Sequence, residues 1–174
     1  MQVLIALLEM EDSDCYAQLS FWRNLFRKIS KIGDEAVRLQ KFQLFEQVVV
    51  QLVNLVIKRA KMNDMIFEAL NQEPALSSDF EEFFKVRSDW AYLLSGIAKS
   101  CGSLTVYQIL FQFLSAALAR RSQETDLEKL ISTYQDLECL LFCCTQLVKH
   151  VDGAQLSQLK DVIVLVQSLI TPEP

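Results

Sequence analysis

The chain has 174 residues, 51% hydrophobic and 22% charged, a balance that permits a folded core and excludes an intrinsically disordered chain. A net charge of −5 and a pI near 4.9 exclude a nucleic-acid module driven by overall electrostatics, although a local basic patch remains open. Four glycines and three prolines are too few for the many turns of an all-β protein, and the length is one domain's worth.

Residues 2–9 form a short apolar run with helical spacing, followed by the acidic Glu9–Asp14. It has no basic n-region and no small-residue cleavage site, which argues against a signal peptide. Ser13 or Asp14 can cap a helix whose apolar positions are Tyr16, Leu19, Trp22, Phe26 and Ile29, at i, i+3, i+4 spacing. Gly33 stops it and Asp34 begins the next, which the pattern carries to Met62 through Val37, Phe42, Phe45, Val48, Val49, Leu52, Val53 and Val56. Lys58, Arg59 and Lys61 complement its C-terminal dipole. The apolar run from Phe42 to Ile57 is interrupted by Gln43, Glu46, Gln47, Gln51 and Asn54, so it cannot serve as a membrane span.

Residues 63–76 read as a linker, because Pro74 discourages helix through Glu73. Ser78 and Glu81 then fit a capping box that opens a helix running to Cys101, closed by Gly102. On that helix Phe83, Phe84, Trp90 and Leu94 are the expected buried face. Ser103 starts the next helix, with Tyr107, Leu110, Phe111, Leu114 and Leu118 inward, ending at Arg120 and Arg121. Thr125 and Glu128 form a second capping box. The helix it opens runs through Leu130, Tyr134, Leu137, Leu140, Leu141, Cys144 and Val148 to His150, and a last helix covers 155–170 after Asp152-Gly153.

The expected fold is all-α: a short leading helix and three antiparallel helix pairs at 13–61, 79–121 and 126–170, with the linker at 63–76. The later pairs start about 47 residues apart, the spacing of HEAT or armadillo units, and the wide apolar faces suit pairs covered on both sides. An α-α superhelix is therefore the expected architecture, with an up-down bundle as the alternative. The unpaired leading helix and the apolar last helix suggest an internal piece of a longer array.

No nucleophile elbow, phosphate loop or HExxH is present, so no enzyme is expected. His150 beside Lys149 reads as a helix C-terminal cation. Cys139, Cys143 and Cys144 lack the second ligand pair of a structural zinc site and read as small buried hydrophobes. Five cysteines, three of them within six positions, fit no secreted disulfide framework. The acidic clusters suit helix N-termini and loops, without EF-hand spacing. The candidate site residues are Lys58, Arg59, Lys61, Arg120 and Arg121. Both groups end the second helix of a pair, so in a regular stack they fall on one edge and form a basic ridge able to meet an acidic protein or an RNA backbone.

The stretch "DFEEFFKVRSDW", with an arginine seven positions after its first phenylalanine, resembles a helix in the middle of the importin-β superfamily of nuclear transport receptors. It is similar to the "EFxxFRxxxxD" pattern of the transportin-SR and importin-thirteen branch and to its equivalents in exportins. Other parts fall in the same order. "LLEMEDSDCYAQLSFWRNLFRKI" resembles the helix with an "FWxxL" centre, "FEQVVVQLVNLVIKRAKM" the long helix after it, and "DLEKLISTYQDLECLLFCCTQLVKHVD" the helix that follows the arginine-bearing pair. Phe84 departs from the pattern, in which an arginine or similar polar residue stands at that position. The resemblance implies a superhelix of HEAT repeats that carries cargo protein or RNA through nuclear pores, shuttling between nucleus and cytoplasm under control of the GTPase Ran. It implies contact with Phe-Gly repeat proteins of the pore, and neither a cofactor nor a small-molecule substrate. In such receptors the second helices, here 35–61, 103–121 and 155–170, line the concave surface, and Ran contacts are strongest in N-terminal repeats, so a central segment is expected to meet cargo or neither partner. A HEAT scaffold outside transport is the alternative.

Overall fold

Leu19, Trp22, Phe26 and Ile29 recur at helical spacing along α1 (Cys15–Ser30), and all four side chains are buried. The structure is a computed structural model and describes residues 15–63, 66, 78–150, 160 and 164. After α1 come α2 (Glu35–Gln43), α3 (Glu46–Ala60), α4 (Ser78–Cys101), α5 (Ser103–Gln123) and α6 (Leu127–Leu147), followed by a 3-10 turn at Val148–His150. No strand occurs among the described residues, so the fold is all-α there. The leading helix at 2–9, most of the 63–76 linker and the last helix at 155–170 fall outside the described residues, as do the side chains of Ser78 and Asp79.

Helix α4 is the centre of the core and packs against all the other five. Its sequence explains why: Trp90, Ala91, Leu93, Leu94, Ile97 and Ala98 are all buried, which covers more of the circumference than one stripe. Full burial of Trp90 and Trp22 contributes about 2–3 kcal/mol each from apolar area alone.

The bonds along α4 set the direction of its neighbours. Arg23 bonds to Asp89 and Ser100 donates its hydroxyl to Phe26 O, so α1 and α4 are parallel. Arg87 bonds to Glu138 and Ser95 donates to Gln146 O, both across a separation of 51 residues, so α6 runs the same way. α5 runs back: Arg120 meets Asp136 while the Tyr107 hydroxyl donates to Cys144 O. The first helices of the three expected pairs thus lie parallel. α3 also reaches α6, where Lys61 pairs with Asp136 and Cys139 Sγ donates to Ile57 O. The first and third units therefore touch, and the core closes around α4.

Several expectations are corrected. The helix read as continuous from Asp34 to Met62 breaks at Leu44 and Phe45, where Phe45 takes φ −113° and ψ 2° and its N–H bonds to Phe42 O at 2.7 Å. The break lets α2 lie on α1 and α4 while α3 packs on α4, α5 and α6. Val37 is exposed on α2, which buries only Phe42. Phe84 is 40% exposed, stacked on Phe80 and edge-on to Phe83, because Arg87 takes the buried place on that face. Tyr134 and Val148 face solvent, and Cys139 and Cys143 hold the inner face of α6. The cap of α6 is Asp126, which accepts from the N–H of Glu128 and Lys129, while Glu124 accepts from those of Thr125 and Asp126. Thr125 is therefore not the cap. Carboxylates outbid its hydroxyl for these orphan donors.

Candidate functional site

The C-terminal ends of α3 and α5 meet on one residue of α6. Asp136 accepts from Lys61 Nζ at 2.7 Å and from Arg120 Nη2 at 3.0 Å, and Lys61 also donates to Ser132 Oγ at 3.1 Å. Arg121 donates from Nε to the Tyr134 hydroxyl at 3.1 Å, with its guanidinium 5.4 Å from the centre of that ring. Lys58 is exposed and Arg59 is half-buried. The two groups expected to share an edge are thus brought together, with α6 between them. Asp136 offsets one of the positive charges, and the triad of half-buried Lys61 and Asp136 with exposed Arg120 ties three helices together. The sequence pattern could not show this, because the carboxylate comes from a helix 75 residues after Lys61 and sits among other surface acids.

Arg87 is the second charged feature. Its side chain is 2% exposed and bonds to Glu138 at 2.6 Å. The guanidinium lies 4.0 Å from the Phe142 ring centre and 5.9 Å from that of Phe83, a cation held between aromatic faces. Its role is to join α4 to α6, and it offers no surface to a ligand.

The cysteines behave as core residues. Cys139, Cys143 and Cys144 are buried. Burial pushes the thiols of Cys101 and Cys144 up to about 12. The hydrogen bond with Cys139 and burial together raise Cys143, so these groups stay protonated. Among the described residues no group of three His, Cys, Asp or Glu side chains is placed to hold a metal, and no helix is long and apolar enough to cross a membrane. His150 sits in the 3-10 turn after α6, half-buried.

A third feature was not expected. Between α1 and α4 lies an open groove of about 710 Å³. Its lining includes Arg23, Asn24 and Arg27 from α1 and Asp89, Tyr92 and Lys99 from α4. Arg23 pairs with Asp89 at 3.2 Å and sits 5.2 Å from the Tyr92 ring centre. Arg23 and Arg27, one turn apart on α1, are a signal in the sequence, but Lys99 joins them only once α1 and α4 are known to be parallel.

No family model, no curated protein and no solved structure matches the chain.

Proposed function

We propose that this chain is a binding scaffold, part of a nuclear transport receptor of the importin-β superfamily, in which HEAT-like helix pairs continue as an α-α superhelix. Its partners are cargo protein or RNA, the GTPase Ran and Phe-Gly repeat proteins of the pore, and it shuttles between nucleus and cytoplasm. It performs no catalysis and uses no cofactor. Cargo contact is assigned to the basic edge formed by Lys58, Arg59, Lys61, Arg120 and Arg121.

The observation that carries this reading is the parallel packing of α1, α4 and α6, with α4 pinned to α6 by Arg87 and Glu138. Helix pairs stacked with their first members parallel are what a helical-repeat array requires. Arg87 is also the arginine of the stretch that resembles the family.

The test is a pull-down of the full-length protein with Ran loaded with GTP against Ran loaded with GDP. Preference for the GTP form is expected. Indifference to the nucleotide removes the transport reading and leaves a HEAT scaffold of some other complex.

A further inference from the structure

The groove between α1 and α4 has two unlike ends. At one end Arg23 is satisfied, held by Asp89 and by the Tyr92 ring. At the other, Arg27 lines the groove from α1 and Lys99 from α4, where the Ser100 hydroxyl reaches Phe26 O at 3.1 Å and joins the C-terminal halves of the two helices. Arg27 donates to the neutral Asn24 at 2.8 Å. Among the described residues no carboxylate pairs with Arg27 or Lys99. Two exposed cations thus line one groove from its two walls in a protein whose net charge is −5. Cations on both walls of an open concavity in an acidic protein are complementary to an anionic ligand.

The shape of the groove indicates how large that ligand is. Its α1 wall runs from Leu19 to Ser30 and its α4 wall from Asp89 to Lys99. At the rise of an α-helix each wall is roughly 15 Å long, the length of about four or five extended residues. The volume lies in the range of sites that enclose a ligand of that size. Ser20 and Asn24 offer a hydroxyl and an amide along the wall, and the exposed Tyr92 ring supplies an apolar surface at the Arg23 end.

We infer that this groove binds an extended acidic peptide segment of a partner protein. Its carboxylates meet Arg27 and Lys99, and an apolar residue about four positions away lies on Tyr92. The surface is separate from the edge of Lys58 and Arg121 and stands or falls without the transport reading.

The probe is a fluorescein-labelled peptide, acetyl-EEDLF-amide, titrated with the full-length protein and followed by fluorescence anisotropy. The uncharged analogue, acetyl-QQNLF-amide, serves as its comparison. Saturable binding of the acidic peptide is expected, weakened about tenfold in the double variant Arg27→Gln, Lys99→Gln and steepened by low salt. The control is Lys28→Gln with Lys31→Gln, which removes the same charge from exposed positions outside the groove lining and should leave affinity unchanged. Unaltered melting of all variants shows that they are folded. Equal binding of the uncharged analogue, or equal weakening in the control pair, overturns the proposal. Full displacement of the peptide by millimolar inorganic phosphate overturns it as well, because the site would then be one for a single anion.

Discussion

At the scale of single residues, Arg87 shows how an aromatic and charged stretch divides into core and surface. The helical period places Phe80, Phe83, Phe84, Arg87 and Trp90 on neighbouring turns, and from the sequence the phenylalanines are the natural core. Packing reverses part of that order. Trp90 is fully buried, Phe84 is 40% exposed, and the long stem of Arg87 is buried with its charge met by Glu138. The reason lies in α6, whose Phe142 and Glu138 offer an arginine both a ring and a carboxylate, and no local pattern on α4 carries that information. Arg87→Ala should cost about 3 kcal/mol in chemical denaturation, since it removes buried packing and a charge-assisted bond together. Arg87→Met, which keeps the stem without the charge, should cost clearly less. Equal losses in the two variants would mean that the ion pair carries the whole effect.

The buried thiols give a second residue-scale expectation. Cys101 and Cys144 are pushed from an ordinary 9.0 up to about 12, and Cys143 is raised in the same direction. A folded value above the unfolded one means that the unfolded chain loses these protons first as pH rises. Stability from this source is complete below pH 9.0 and declines from there toward pH 12. Melting temperatures measured from pH 8 to pH 11 should fall across the upper part of that range, and Cys144→Ala should flatten the fall.

At the scale of elements, boundaries set by chemistry were legible and those set by packing were not. Asp34 caps α2 by accepting from Val37 N–H at 3.1 Å, as its position before an apolar run implies. Gly102 ends α4 with φ +95°, a conformation that side chains rarely adopt, although nothing stands within 4 Å of an added Cβ. Gly102→Ala should therefore cost about 1–3 kcal/mol through backbone strain alone. Gly33→Ala has the same open space and no such backbone, and should change stability by less than about 0.5 kcal/mol. The break at Leu44 and Phe45 has no glycine or proline to announce it. Phe42, Phe45, Val48 and Val49 fit one continuous helical face, and only the need to cover α1 and α4 with α2, and α5 and α6 with α3, divides them.

At the scale of the whole molecule, the parallel run of α1, α4 and α6 and the return of α3 and α5 between them were legible from loop lengths and periodicity. The meeting of α3 with α6 was not, because it depends on how α3 and α6 both pack on α4. That packing brings Lys61 and Arg120 onto Asp136, so the basic edge is partly structural. The better probes are Lys58, which is exposed, and Arg121, which is half-buried and held only by the Tyr134 hydroxyl and ring. Lys58→Glu combined with Arg121→Glu should weaken cargo binding about tenfold at physiological salt, with thermal stability nearly unchanged. Unaltered cargo affinity in a folded double variant would move the contact elsewhere. The central claim, that these stacked helix pairs serve a nuclear transport receptor, is tested most directly by the affinity of the full-length protein for Ran, measured with GTP and with GDP bound. The account predicts clear preference for the GTP form, with cargo affinity shifting in response. Equal affinity for the two forms, or no binding to either, would contradict it.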